Sequence, residues 1–252
     1  MCFDPDSAPP IYTQPRTPAA GQRLVLTSFD GAAFSAFLAK PENPSGTGVL
    51  VLPDNRGLYN FYEQLALRIA EQGQMALAID YFGRTAGTAD RDASFPFMQH
   101  MMQLQRESLD HDIETGAKFL RTDAGGACQQ TFALGFCFGG RQAFFASDPR
   151  FGFTGTIGFY GAPSVYPNGA LGPTQRAKEL RAPILGIFGG ADHGIPPSDV
   201  EAFDLALRAA GVPHEFVTYP NTPHSFFDIK YSEYQHECAD AWKKVCDFIN
   251  LR

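Results

Sequence analysis

A cysteine stands where an apolar run of the sequence gives way to a helical pattern. Residues 135–139 read Gly-Phe-Cys-Phe-Gly, a G-x-C-x-G. This pattern is typical of a nucleophile on a strained turn between a strand and a helix, where residues two before and two after it must be small. The N–H groups at the start of a helix favour the thiolate, and that of Phe138 is placed to bond a developing oxyanion. The pattern therefore predicts Cys137 as a nucleophile.

A buried core cysteine is the alternative interpretation, because short glycine patterns are common by chance. Two further residues favour the nucleophile. Asp192 in "FGGADHGIPP" and His224 in "YPNTPHSFFD" each follow a buried strand, and nucleophile, acid and histidine then come in the chain order that this turn predicts. His224 would carry protons to the leaving group, and Asp192 would fix its tautomer and stabilise the imidazolium.

The other candidates are weaker. His193 directly follows Asp192, and adjacent loop side chains rarely face each other. His214 is expected to begin a strand at the opposite end of the sheet, and the remaining histidines fall on predicted helices. Asp199 is expected to cap or begin a helix.

The elements that must position these residues alternate between strand and helix. A hairpin is predicted at Asp30-Gly31. Buried strands are predicted over 47–54, 75–80, 131–136, 154–160, 183–189 and 214–220. Helices are predicted over 60–73, 97–121, 138–147, 198–210 and 233–249. The alternation predicts an α/β fold, a mostly parallel twisted sheet with helices on both faces.

Composition indicates one globular domain. The chain has 252 residues, of which 44% are hydrophobic and 19% charged. Residues 1–20 are rich in proline and small residues and predict an N-terminal arm, with a single domain over 21–252. Five cysteines without a CxxC pair argue against a disulfide framework and a zinc cluster.

Charge and hydropathy limit the kinds of partner and the location that we expect for this chain. The net charge is −7 and there is no dense basic run, so we expect no nucleic-acid partner. No apolar run approaches a membrane span of about 20 residues, and the N-terminus lacks the pattern of a secretory signal. A cytoplasmic location is expected.

From about residue 22 to the end, the chain resembles the dienelactone hydrolase family. The phrases "GFCFGGR", "GGADHGIPP" and "PHSFFD" carry the resemblance. It implies an α/β-hydrolase fold, a Cys-Asp-His triad and hydrolysis of a small-molecule ester or lactone through a thioester, with no metal or organic cofactor. It also implies that Asp54, where relatives carry Glu, contacts the thiol, and that Asn55 supplies a second oxyanion N–H. A turn role suits Asp54 equally well.

The resemblance further implies arginines that bind a substrate carboxylate. Arg84 matches one of them, whereas Asp228 stands where the other is expected and would repel an anionic substrate. Arg56 and Arg141 lie close to the predicted site in sequence and are candidate substitutes, and a solvated surface role is the equal alternative for each. Candidate apolar lining comes from aromatic residues near the strand ends, namely Phe82, Phe95, Phe97, Phe136, Phe138 and Tyr160.

The alternative to a hydrolase is a non-catalytic or redox-responsive member of the same fold, in which the thiol binds a ligand or senses oxidant. A peptidase on this fold is less favoured, because nothing in the sequence indicates a peptide cleft. The sequence leaves open whether the protein is a monomer or a homodimer.

Overall fold

The computed structural model describes residues 8–11, 13–166, 169–228 and 231–250. Within these ranges the chain forms two compact units, one centred on residues 13–131 and the other on residues 132–250. The strands are β1 (Ala19–Thr27), β2 (Ala33–Pro41), β3 (Thr47–Leu52), β4 (Met75–Ile79), β5 (Gln130–Phe136), β6 (Gly155–Phe159), β7 (Ile184–Gly189) and β8 (His214–Tyr219). The helices are α1 (Asn60–Ala70), α2 (Gly83–Ala86), α3 (Phe97–Met101), α4 (Arg106–Leu120), α5 (Phe138–Phe145), α6 (Pro197–Ala210) and α7 (Gln235–Asn250).

The first unit holds strands in the order β1-β2-β4-β3. β1 and β2 pair antiparallel from Ala19 opposite Pro41 to Thr27 opposite Ala33, which confirms the predicted hairpin. In its turn, Gly31 has a φ of +83°, a left-handed value that glycine adopts without steric cost. β2 pairs antiparallel with β4, and β3 pairs parallel with β4.

Helices cover both faces of these strands. Leu50 and Leu77 are cross-strand partners on one face, and a Cβ added to Gly116 of α4 would lie 2.8 Å from Leu50 Cδ1. Phe37 points to the opposite face, where a Cβ on Gly21 would meet both its ring and Leu67 of α1. Thus α4 and α1 pack on opposite faces.

The second unit holds β5, β6, β7 and β8 in that order, all parallel. In β6, a Cβ on Gly158 would meet the Phe144 ring of α5, whereas one on Gly155 would meet Phe248 of α7. Residues three apart in a strand point to opposite faces, so α5 and α7 lie on opposite faces. Every residue of β4, β6 and β7 is buried, as expected of strands covered on both sides. The predicted α/β class and largely parallel pairing are confirmed.

The predicted helix over 97–121 is wrong in its first third. The chain forms α3, leaves the helical path after Met101 and begins α4 at Arg106. No residue of α3 is buried, and Met98 and Met102 are 54% and 76% exposed. Helical propensity alone rarely sustains a helix that has no apolar face in the core.

The N-terminal arm over 1–20 stays a prediction, because residues 1–7 and 12 lie outside the described residues. Of its described part, Ile11 is buried and Arg16 N donates to Glu71 O at 2.8 Å. β1 begins at Ala19. In the described ranges no helix has the length and apolar character needed to cross a membrane.

Candidate active site

Cys137 is the single residue between β5 and α5, with φ +54° and ψ −112°. Positive φ is rare for a residue with a side chain and costs about 1–3 kcal/mol. Backbone hydrogen bonds hold the turn, since Cys137 N donates to Phe159 O at 3.0 Å and Arg141 N donates to Cys137 O at 3.1 Å. The cysteine is partly exposed, so the turn presents its side chain.

Close backbone approach explains two glycines near this turn, Gly135 and Gly140. A Cβ on Gly135 would lie 2.0 Å from Gly139 O, and one on Gly140 would lie 2.4 Å from Phe159 O. Both distances are far below van der Waals contact. Strand and helix can meet at so tight a turn because these positions carry no side chain.

The loops after β7 and β8 lie side by side. Ala191 N donates to Thr222 O at 3.0 Å, and a Cβ on Gly189 would lie 2.4 Å from the same oxygen. The two strands are parallel neighbours, so their loops leave the same edge of the sheet. This pairing brings Asp192 next to His224.

Asp192 and His224 form a close hydrogen-bonded pair. Asp192 is 6% exposed, and its Oδ2 lies 2.6 Å from His224 Nδ1. Its other oxygen accepts the N–H of Gly194 at 2.8 Å, so the carboxylate is fixed at both ends. A proton on Nδ1 then leaves Nε2 as the nitrogen that exchanges protons with a reacting group.

The competing residues are placed elsewhere. His214 Nε2 lies 3.0 Å from Asp204 Oδ1, and the His100 ring stacks on Phe95 with 4.8 Å between centroids. His193 is exposed. Asp199 lies in the first turn of α6, as predicted.

Tyr160 lies beneath His224 and is fully buried. The two ring centroids are 4.9 Å apart, and the Tyr160 hydroxyl donates to Asp228 Oδ2 at 2.9 Å. The Asp228 carboxylate is 1% exposed and hydrogen-bonded to Tyr160, and the expectation that it repels an anionic substrate stays a prediction. The hydroxyl of Tyr160 is engaged with Asp228, while the predicted part of its ring in lining the substrate site stays a prediction.

Asp54 and Asn55 lie in the other unit, in the loop after β3. Asp54 is fully buried, and its Oδ1 accepts the N–H of Arg56 at 2.8 Å. Its own N–H donates to the Tyr62 hydroxyl at 2.9 Å. Asp54 thus has the turn role that its neighbours predicted, while its contact with the thiol and the oxyanion role of Asn55 stay predictions.

Asp80 stabilises this loop, and the sequence analysis missed it. Its Oδ1 accepts Leu58 N at 3.0 Å, and its Oδ2 accepts Phe82 N at 3.1 Å and Arg91 Nη2 at 3.0 Å. The guanidinium of Arg91 also lies over the Phe95 ring at 4.6 Å. The position of Asp80 directly after the apolar strand "MALAI" is the feature of the sequence that could have identified it.

Arg84, predicted to bind a substrate carboxylate, contacts two carboxylates of the protein itself. Two of its nitrogens donate to both oxygens of Asp30 at 2.9 Å, and the third binds the buried Asp112. Burial raises the pKa of Asp112, and the hydrogen bond from Arg84 offsets part of that rise. All three guanidinium nitrogens face carboxylates, so the arrangement favours a structural role.

The two substitute arginines are also engaged within the protein. Arg141 is 2% exposed, and it donates to the carbonyl oxygens of Ala162, Ser164 and Leu171. Arg56 is 5% exposed and lies over the Tyr59 ring at 5.1 Å. Neither arrangement indicates a site for a substrate carboxylate.

Comparison with known proteins identifies the family. The model of the dienelactone hydrolase family matches residues 34–251. The chain belongs to this family. A dienelactone hydrolase family protein is a hydrolase, and the resemblance inferred from "GFCFGGR" and the two later phrases is confirmed.

Individual relatives match nearly the whole length of this family member. A protein of Salmonella typhimurium named "Putative carboxymethylenebutenolidase" is 27% identical over 257 residues, which cover 98% of this chain and 94% of the relative. A Yersinia pestis protein of the same name is 26% identical and covers 87% of this chain and 84% of its own length.

A solved structure shares the fold. The crystal structure of a "Putative Dienelactone Hydrolase" from Klebsiella pneumoniae superposes with a TM-score of 0.77 at 23% identity. It covers 92% of this chain and all of the other. The predicted α/β-hydrolase fold is thereby confirmed.

Among the residues that the structure describes, no group of three or more His, Cys, Asp or Glu side chains is arranged to hold a metal ion.

Proposed function

We propose that this protein cleaves a carboxylic ester or lactone of a small molecule by acyl transfer to Cys137. The observation that carries the proposal is the 2.6 Å contact between Asp192 and His224, in loops that leave the same edge of a parallel sheet as the strained turn at Cys137. Membership of a hydrolase family supports the reaction class.

The reaction has two halves. In the first, the thiol of Cys137 gives its proton to Nε2 of His224, and the resulting thiolate attacks the carbonyl carbon and forms a tetrahedral oxyanion. Collapse breaks the carbon–oxygen bond, leaves a thioester on Cys137, and the alkoxide takes a proton from His224. In the second, His224 removes a proton from water, the resulting hydroxide attacks the thioester, and the acid leaves as the thiolate returns.

Backbone N–H groups stabilise the oxyanion in this scheme. Phe138 begins α5 directly after the nucleophile, the position from which such a turn donates to developing negative charge. Asn55 supplies the second N–H, and Asp54 assists the transfer of the proton from the Cys137 thiol. Asp192 keeps His224 in the tautomer with Nδ1 protonated and stabilises its charged form.

The proposed substrate is uncharged. The name of the curated relatives denotes a carboxymethylene-substituted butenolide, which is an unsaturated lactone. Here Arg84 and Arg141 are engaged with protein groups, so an anionic substrate would lack a guanidinium partner from either. A neutral ester or lactone fits this distribution of charge better.

Hydrolysis of p-nitrophenyl acetate and a panel of neutral lactones tests the proposal. We expect Cys137→Ala to lose at least about 100-fold in kcat/KM, whereas Cys246→Ala, a control in α7, keeps wild-type activity. Acid quenching during turnover should trap one acetyl group on the peptide containing Cys137. Equal background rates in wild type and Cys137→Ala would contradict the proposal and favour a non-catalytic, ligand-binding thiol.

A further inference from the structure

The segment containing Tyr160 contacts the nucleophile turn. Phe159 O accepts the N–H of Cys137 at 3.0 Å. A Cβ on Gly140 would lie 2.4 Å from the same oxygen and 3.1 Å from Gly161 N. Residues 159–161 therefore pack against the first turn of α5, which begins directly after Cys137.

The side chain of Tyr160 contacts the other end of the proposed triad. Its ring lies against His224 with 4.9 Å between centroids and an interplanar angle of 55°. Its hydroxyl donates to Asp228 at 2.9 Å. Asp228 also donates its N–H to Ser225 O at 3.2 Å, so the hydrogen bond from Tyr160 attaches the whole 224–228 turn to the end of β6.

Backbone strain is concentrated at this contact. Tyr160 and Ser225 have φ values of +37° and +61°, in the region that residues with a side chain rarely adopt. Such conformations persist where the surrounding contacts determine them, and they cluster at functional sites. Here the strained torsions turn the Tyr160 ring beneath His224 and direct its hydroxyl to Asp228.

The contact between Asp192 and His224 does not by itself fix the imidazole. One hydrogen bond at Nδ1 sets the position of that atom but leaves the ring able to tilt about it. The His224 side chain is 35% exposed, so part of the ring is accessible to solvent. The Tyr160 ring supplies packing on another side.

We propose that Tyr160 and Asp228 form a positioning pair, which holds the His224 ring at the tilt from which Nε2 serves Cys137. The inference rests on the proposed function. Tyr160 connects both partners of the proton transfer, because its backbone neighbours the thiol turn and its side chain supports the imidazole. Loss of this support lowers kcat through misorientation and leaves substrate binding nearly unchanged.

Two tyrosine variants test the pair. Tyr160→Phe removes the hydroxyl and keeps the ring. Tyr219→Phe is the matched control, because Tyr219 donates to Asp240 at 2.7 Å in another Tyr–Asp hydrogen bond. With p-nitrophenyl acetate we expect Tyr160→Phe to lose about tenfold in kcat with KM within about twofold of wild type. Tyr219→Phe should stay within about twofold in both.

A conservative substitution of Asp228 should retain activity that the alanine substitution loses. Asp228→Asn keeps an oxygen that accepts the Tyr160 hydroxyl, so its kcat should stay closer to wild type than that of Asp228→Ala. If Asp228→Ala does not fold, Tyr160→Phe and Asp228→Asn still test the pair.

A spectroscopic measurement separates this inference from the proposed function. In a Cys137→Ala background, the Nδ1–H proton of His224 should give a sharp downfield NMR resonance that broadens when Tyr160→Phe is added. If Tyr160→Phe matches Tyr219→Phe in kcat and the resonance stays sharp, the positioning role is overturned while the proposed function stands. Activity retained by Cys137→Ala would instead overturn the proposed function, and the resonance would still report whether the pair orients the ring.

Discussion

Asp192 Oδ2 lies 2.6 Å from His224 Nδ1, while Oδ1 of the same carboxylate accepts the N–H of Gly194 at 2.8 Å. The acid therefore reaches the histidine from a fixed position. One oxygen is held by its own loop and the other is directed at the imidazole. The geometry allows the two duties of the side chain to be separated by a substitution that alters one atom.

Asp192→Asn should keep the fold and lose activity. The amide oxygen can still accept the N–H of Gly194, whereas the amide nitrogen at the other position donates to Nδ1 and favours the wrong tautomer. We expect kcat to fall by about 100-fold, less than in serine enzymes because a thiol is more easily ionised. The measurement is kcat/KM on p-nitrophenyl acetate, with Asp199→Asn, in the first turn of α6, as the control. Near-wild-type turnover by Asp192→Asn would rule out this acid.

Arg84→Ala should cost stability and leave turnover of neutral esters unchanged. Removal of Arg84 leaves the carboxylate of Asp112, which is 1% exposed, without its cation. We expect a loss of about 2 kcal/mol in the free energy of unfolding, measured by urea denaturation. Lys243→Ala removes an exposed pair with Asp247 and should cost less than about 1 kcal/mol. A selective rise in KM for carboxylated substrates, with stability intact, would restore the substrate-binding role of Arg84.

Stability should fall at alkaline pH partly because of Cys238. Burial raises the pKa of this thiol to about 12, whereas the thiol of an unfolded cysteine has a pKa of about 8.5. A group whose pKa is raised by folding contributes stability that is full below the unfolded value and is lost as pH rises through the folded one. The free energy of unfolding should therefore decline between about pH 9 and 12, and less steeply in Cys238→Ala.

Urea denaturation of wild type and variant at several pH values measures this difference in slope. Cys246→Ala, which removes a partly exposed cysteine from the same helix, should follow the wild-type slope. Identical slopes for wild type and Cys238→Ala would show that the buried thiol does not contribute.

Gly135→Ala should disrupt the nucleophile turn. The added Cβ would lie 2.0 Å from the backbone oxygen of Gly139, and a backbone atom has little freedom to move away. We expect a loss of about 3 kcal/mol or more in stability, together with loss of esterase activity. Gly211→Ala is the control, because Gly211 has φ +71° and open space around its Cβ position, so its cost is about 1 kcal/mol of backbone strain. Equal costs would show that the close approach at Gly135 relaxes.

Features set by neighbours in sequence were predictable. The hairpin at Gly31 and the turn at Cys137 depend on torsions and close contacts within a few residues, and glycine marks such positions. The placement of Asp192 and His224 after parallel neighbouring strands followed from chain order, because loops at the carboxyl ends of such strands meet. The alternation of apolar segments along the sequence was enough to predict the order of strands and helices.

Features set by distant partners were not predictable. Arg84 binds Asp30, 54 positions away, and Tyr160 binds Asp228, 68 positions away. No local pattern indicates that a guanidinium or a carboxylate will be engaged by such a partner, so both residues were expected to face a substrate. The break between α3 and α4 is similar, since residues 97–105 have adequate helical propensity and lack the core contacts that would extend α4 backwards.

The torsions of Cys137 are held by contacts that do not involve its sulfur. Its N–H and C=O are bonded to the backbone of Phe159 and Arg141, and the crowding falls on Gly135 and Gly139. The backbone contacts therefore set the direction of the side chain at this position independently of its sulfur. A serine or selenocysteine placed there would point the same way. The residue type at position 137 can therefore change by one substitution, whereas the direction of its side chain depends on several backbone contacts that must all be kept.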